Sequence, residues 1–176
     1  LVTGASGGVG SALIQLANRR GVECVALCSA DKANDVKAIG PLSVIDRGCS
    51  DLGAALLEAT GKDSVDVVAD VIGGALWPQL ISALVRGGRY TCAGAIAGPM
   101  VEFDLRTFYL RDLTFTGATV PPPGVFEDLV GYIERGEILP LLAATYPLED
   151  FHAAQQAFID KRHVGNIVTE PFGPVT

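Results

Sequence analysis

Apolar residues recur along this chain in short unbroken runs, separated by longer segments in which they return every three or four positions, and glycine or aspartate marks most of the changeovers. Short runs of this kind are strands buried on both faces, and the longer segments are helices with one apolar stripe. Leu1 and Val2 are the tail of a first strand. A helix follows, with Val9, Ala12, Leu13, Leu16 and Ala17 on its stripe, and ends at Gly21. Residues 23–28 then read as a second strand, 31–39 as a helix, 43–46 as a third strand and 51–60 as a helix. Residues 65–70 form a fourth strand and 75–85 a helix with Leu76, Leu80, Ala83 and Leu84 inward, before a fifth strand at 88–93 and a sixth at 113–118. Strands alternating with helices at this spacing predict a parallel sheet wrapped by helices.

Between the fifth and sixth strands, residues 94–111 are too many for a tight turn, and a long connection leaving the end of a strand predicts a functional loop. Pro121, Pro122 and Pro123 lead into a helix whose inward face is Phe126, Leu129, Val130 and Ile133, and Gly136 ends it. Beyond about Ile138 the rhythm changes to a short strand at 144–146, a helix at 149–161 and a last strand at 166–169. Trp77 precedes Pro78 in the first turn of a helix, where proline is tolerated, and is expected to pack rather than bind.

The most specific local pattern is residues 3–10, Thr-Gly-Ala-Ser-Gly-Gly-Val-Gly, which follow a strand and open a helix. In that context they form a dinucleotide fingerprint. Gly7 and Gly8 let the backbone approach a pyrophosphate, Gly10 lets the helix pack on its strand, and the positive end of the helix faces the phosphates. Ser6, Gly7, Gly8, Val9 and Gly10 are therefore cofactor-binding candidates. Two grammars fit the same residues: Ala5-x-Gly7-x-x-Gly10, and the Thr3-Gly4-x-x-x-Gly8-x-Gly10 that opens short-chain dehydrogenases. The second family needs a tyrosine and a lysine one helical turn apart. Four residues beyond Tyr90, Tyr109, Tyr132 and Tyr146 stand Gly94, Leu113, Gly136 and Asp150, so that pair is absent. The fold class is accordingly α/β: a Rossmann-type doubly wound parallel sheet of six strands with helices on both faces, plus a C-terminal strand-helix-strand tail.

Composition narrows the function. A chain of 176 residues, nearly half of them apolar, suits one well-buried domain. A net charge of −7 without a basic cluster argues against nucleic acid as a partner. Long uncharged stretches such as 113–126 fall short of a membrane span, and that one contains the three prolines. Cys24, Cys28, Cys49 and Cys92 lack metal-ligand spacing, so no zinc site is expected within the chain, and they read as reduced, three of them as small hydrophobes in or beside buried strands. Reduced thiols point to a cytoplasmic location. The chain begins without methionine, so any targeting segment lies outside it.

The fingerprint, Gln15-Leu16-Ala17, the stretch from Asp66 through Asp70 to Gly73-Gly74, and the ending from Tyr146 to Phe151 and from His163 to Val168 together resemble medium-chain dehydrogenases, in particular their quinone oxidoreductase branch. The resemblance covers essentially the whole chain. It implies that residues 1–140 are the dinucleotide-binding domain, and that 141–176 are a tail that returns to an N-terminal catalytic domain not included here. It implies an NADP-dependent oxidoreductase, incomplete for catalysis, acting on a small molecule such as a quinone, an enone or a similar activated double bond. It also implies a homodimer through the edge strand 113–118. The alternatives are the cofactor domain of a zinc-dependent alcohol dehydrogenase, an enoyl reductase domain of a larger synthase, and a nucleotide-binding module that senses redox state without catalysis.

NADP(H) is favoured over NAD(H). A carboxylate about 20 residues beyond the last fingerprint glycine would hold an unphosphorylated ribose; that position holds Ser29. Asp31 is expected to cap the next helix. Lys32 then stands in the first turn, where a cation opposes the helix dipole unless a 2′-phosphate is bound. Arg47, after the third strand, is a further cation at the adenosine end. At the nicotinamide end the resemblance implies Val71, Ile72 and Gly73, Gly94 and Ala95, and Gly117 with Thr119. No catalytic residue is assigned: His152 and His163 belong to no nucleophile or metal constellation, and a helix-end cation accounts for the second. The family usually carries lysine where this chain has Asn166.

Overall fold

The computed structural model describes residues 1 to 171. Its centre is a parallel sheet formed by β1 (Val25–Cys28), β2 (Ser43–Asp46), β3 (Val65–Asp70), β4 (Leu84–Cys92) and β5 (Thr114–Gly117). The expected first strand is reduced to Val2, which bridges β1 on one side and β3 on the other. Its amide donates to the Val25 carbonyl at 2.9 Å and its carbonyl accepts from Leu27 at 2.9 Å, while Thr3 donates to Ala69 at 3.0 Å. The resulting order, β2-β1-Val2-β3-β4-β5, reverses between Val2 and β3, which makes that seam the topological switch point of a Rossmann-type sheet.

Strand parity explains why both faces are apolar. Val25 and Leu27 enter one core with Leu52, Leu56, Val68, Leu80 and Leu84, whereas Cys24, Ala26 and Cys28 enter a second core with Val2, Ile14 and Val36. Burial pushes the Cys24 and Cys28 thiols above their ordinary range. A thiol reagent at about pH 8 is therefore expected to leave both unmodified until the protein is denatured. Rapid labelling of either in the native state, read by mass spectrometry, would contradict this packing.

The helices α1 (Gly8–Arg19), α2 (Ala33–Lys37), α3 (Leu52–Thr60) and α4 (Trp77–Ser82) connect these strands. Asp51 caps α3 by accepting from the Ala54 amide at 3.0 Å, and Gly61, at φ +75°, closes it. Several sequence expectations are corrected. The helix expected over 31–39 is a 3-10 turn followed by the short α2, with Ser29 and Lys32 rather than Asp31 at the two cap positions. The segment 75–85 is divided: a 3-10 turn and α4 end at Ser82, and Leu84 and Val85 already belong to β4. The buried side of α1 is Gly10, Ser11 and Ile14, whereas Val9 is 59% exposed. Ser11 can turn inward because its hydroxyl donates to the Gly8 carbonyl.

The long connection after β4 contains a helix, α5 (Leu105–Leu110), capped by Asp104. β5 pairs only with β4, so its other edge is open among the described residues. On α6 (Val125–Glu134) the face expected inward is largely outward: Phe126 is 68% exposed, Val130 and Ile133 are also exposed, and Leu129 alone is half-buried. The remaining chain forms β6 (Leu142–Pro147), α7 (Phe151–Asp160) and β7 (Asn166–Glu170), with β6 and β7 as a separate parallel pair. No helix among the described residues is long and apolar enough to cross a membrane.

Candidate functional site

The turn from Thr3 to Gly10 leaves the sheet at the switch point. Gly4 takes φ +59°, and the Gly7 amide donates back to its carbonyl at 2.9 Å. A Cβ on Gly10 would stand 2.2 Å from the Gly4 carbonyl oxygen and 2.8 Å from the Ala5 Cα, so α1 touches the turn backbone to backbone. Gly4 thus matters geometrically as well as Gly7, Gly8 and Gly10. The first amides of a helix have no partner within it. Here they belong to Gly8, Val9 and Gly10, after a Gly7 cap with no side-chain bond and before a first turn without acid. That is a cradle for anionic phosphates.

The residues expected at the adenosine end lie at the ends of β1 and β2. Ser29 follows β1, and the Arg47 amide donates to the Cys28 carbonyl at 2.7 Å, which brings Arg47 beside it. Ser29 and Lys32 are half-buried and Arg47 is exposed. Asp31 is fully exposed, and its carboxyl is held below the usual range chiefly by the Ser29 hydroxyl, with Lys32 and Arg47 contributing. Ser29, Lys32 and Arg47 are therefore brought together, with Asp31 among them.

Beyond β3 and β4, the loops at 71–74 and 94–98 form a single surface. The Ala97 amide donates to the Ile72 carbonyl at 2.9 Å, and the Gly74 amide to the Gly98 carbonyl at 3.1 Å. A Cβ on Gly94 would lie 2.8 Å from the Val71 carbonyl oxygen, and one on Gly73 would lie 2.9 Å from that of Gly98. These contacts bring Val71, Ile72, Gly73, Gly94 and Ala95 together. Gly117 ends β5, and the Ala118 amide donates to the Cys92 carbonyl at 2.9 Å, which carries Gly117 and Thr119 to the same end of the sheet, both exposed.

Two features were not anticipated. Asp70, at 1% exposure, is bonded by the hydroxyls of Thr3 and Tyr90. Its signal was parity: residues 66, 68 and 70 share a face, Val68 is fully buried, and a carboxyl on a core face requires donors. The second feature is the tail's attachment. Gly165 bridges Gly7, and its amide donates to the Ser6 carbonyl at 2.9 Å. Gln15 exchanges two hydrogen bonds with the Leu139 backbone, Arg19 pairs with Glu137, and the Asn166 side chain covers Gly8. His163 does not fit the helix-end cation expected of it. Burial, then the Lys32 charge, lowers its pKa, and its Nδ1 is buried without a partner.

Among the described residues no group of three or more His, Cys, Asp or Glu side chains could hold a metal ion. The zinc-binding dehydrogenase family model nevertheless matches residues 8–135. An acryloyl-coenzyme A reductase of Sulfurisphaera tokodaii is 30% identical over 97% of this chain and 50% of its own length. A chloroplastic quinone-oxidoreductase homolog of Spinacia oleracea is 28% identical over 97% and 52%. A Sinorhizobium meliloti crystal structure described as a candidate alcohol dehydrogenase is 47% identical, with a TM-score of 0.91 over 96% of this chain and 47% of that one. A 2-octenoyl-CoA carboxylase reductase, solved with NADP and 2-octenoyl-CoA, is 26% identical, with a TM-score of 0.90 over 99% and 43%. The chain spans about half the length of the relatives it matches. With the switch-point cradle and this match over most of its length, the chain belongs to the zinc-binding dehydrogenase family of the medium-chain dehydrogenase/reductase superfamily.

Proposed function

We propose that this chain is the NADP(H)-binding part of a zinc-independent oxidoreductase that moves hydride between the nicotinamide and an activated double bond, as in a quinone, an enone or an enoyl thioester. The observation that carries the reading is the phosphate cradle at Gly7, Gly8 and Gly10, with Ser29, Lys32 and Arg47 grouped at the ends of β1 and β2. The α1 amides hold the pyrophosphate, and Lys32 and Arg47 hold the 2′-phosphate with Ser29 as an additional donor. The loops at 71–73 and 94–95, with Gly117 and Thr119, orient the ring. When bound, the cofactor supplies the hydride chemistry, and the protein fixes its position and excludes water. The relatives that carry activated acyl-CoA substrates in their names support the substrate class. In this reading residues 1–140 are the nucleotide domain and 141–176 the returning tail, and two copies pair through the open edge of β5.

One neighbour favours a second reading. The Asp31 carboxylate stands beside Ser29, and a carboxylate there could instead accept from the 2′-hydroxyl of NAD(H). Fluorescence titration of the full-length protein separates the two. NADPH is expected to bind more tightly than NADH. Lys32→Ala should weaken NADPH roughly ten- to a hundred-fold, the worth of a hydrogen bond to a charged group, and leave NADH unchanged. Tighter NADH binding, or equal losses for both cofactors, would replace this reading with the second.

A further inference from the structure

Asp70 ends β3 at the switch point, and its two carboxyl oxygens are met by four donors. The Thr3 hydroxyl donates to Oδ1 at 2.6 Å and the Ile72 amide to Oδ1 at 2.8 Å. The Gly73 amide lies 3.2 Å from each oxygen, and the Tyr90 hydroxyl donates to Oδ2 at 2.8 Å. No Lys, Arg or His among the described residues pairs with it. A carboxyl sealed from water is costly unless its lone pairs are satisfied. Here the donors come from three separate segments: the phosphate turn, the loop after β3, and β4.

What this carboxyl does that an apolar side chain could not is set direction. It draws the Ile72 and Gly73 amides inward, while the Ile72 carbonyl takes the Ala97 amide and the Gly74 amide reaches Gly98. The loop after β3 and the loop after β4 are thereby aligned as one surface. Thr3, the first residue of the phosphate turn, works both ways, because its hydroxyl also accepts from the Val71 amide at 3.0 Å. Burial, and then Asp70 itself, pushes the Tyr90 hydroxyl above its usual range, so it keeps its proton and remains the donor. The Tyr90 ring is locked edge-on against Trp77 and Phe115.

We infer that Asp70, with Thr3 and Tyr90, is a positioning unit that sets the nicotinamide-facing loops against the phosphate turn, and so determines where the ring of a bound cofactor lies. The inference rests on the nucleotide-binding function proposed above. It makes the adenosine half and the nicotinamide half of the site separable. Disturbing Asp70 is expected to act mainly on the second.

The test uses the full-length protein with Asp70→Asn and Tyr90→Phe. Affinity is measured for NADPH and for 2′-phospho-ADP-ribose, which keeps the adenosine and the phosphates but lacks nicotinamide; if the protein prefers NADH, the pair is NADH and ADP-ribose. Asp70→Asn should weaken the full cofactor by about tenfold and change the fragment by less than about twofold. Turnover with an enone should fall by roughly a hundredfold, as expected for misplacing a reacting group by about 1 Å. Tyr90→Phe, which keeps the ring in place, should move the same ratio in the same direction by a smaller factor. If Asp70→Asn does not fold, Tyr90→Phe decides by that ratio alone. Equal losses for cofactor and fragment, or an unchanged ratio with only a lowered melting temperature, would show that the cluster merely holds the fold together. Wild-type protein that binds neither cofactor would instead overturn the nucleotide-binding function itself.

Discussion

Replacing Gly10 by alanine is expected to destabilise the protein by about 3 kcal/mol, at the upper end of ordinary overpacking costs. The new methyl would lie 2.2 Å from the Gly4 carbonyl oxygen, 2.7 Å from its carbon and 2.8 Å from the Ala5 Cα. All three are backbone atoms, so no rotamer change relieves the clash. The turn or the helix must move. Either movement also spoils the amide cradle, so nucleotide affinity and stability fall together. Melting should drop by roughly 6–12 °C for a domain of this size, read by circular dichroism. Gly7→Ala is the control: its nearest neighbour would be 3.4 Å away and its φ is −86°, so the fold should be retained. A Gly10→Ala protein that melts with wild type would show that helix and turn are not in contact as described.

The second large effect is expected at Trp77, the only tryptophan in the chain. At 6% exposure its ring meets Phe103 edge-on at 4.9 Å and stands 6.1 Å from Tyr90 and 6.2 Å from Phe115. It therefore joins α4, β4, β5 and the connection after β4 in one aromatic cluster. Trp77→Ala should cost about 3–5 kcal/mol, the range for emptying a buried aromatic site. That corresponds to a melting decrease of roughly 6–20 °C. Trp77→Phe, which keeps part of the volume, should cost well under half of this. Loss of less than about 1 kcal/mol in the alanine variant would mean that the cluster can collapse into the space or was never closely packed.

How far the fold was legible depended on where each element finds its partners. β1 follows its apolar run because all four of its residues are buried, and β2 and β3 follow theirs because each sends residues into both cores. β4 was misread at its start. Leu84 and Val85 continue the helical stripe of α4, and Gly87, at φ +76°, with Gly88 breaks the apolar run within the strand. α5 has only six residues, too few to display a period. The apolar stripe of α6 was legible as a pattern, but its direction was not, because an apolar stripe does not by itself say which neighbour it meets.

The site divides in the same way. The phosphate turn could be read from local spacing, since its glycines are needed within eight residues of one another. The grouping of Ser29, Lys32 and Arg47 could be read from strand ends alone. Asp70 could not be paired in advance with Thr3 and Tyr90, which lie 67 and 20 residues away along the chain. Nor could the attachment of Gly165 to Ser6, because it joins two segments from different sheets.

That attachment has a thermodynamic consequence. A nucleotide whose phosphates shifted or stiffened Ser6 and Gly7 would act on Gly165 through a single 2.9 Å bond, with Gln15 and Arg19 holding Leu139 and Glu137, just before the tail, further along α1. Linkage is reciprocal: if cofactor occupancy favours one seating of the tail, then whatever imposes that seating raises cofactor affinity by the same factor. If the nucleotide binds as proposed, the C-terminal segment would act as a lever on the phosphate turn, and a contact made along β6, α7 or β7 would register as a change in how tightly the nucleotide is held.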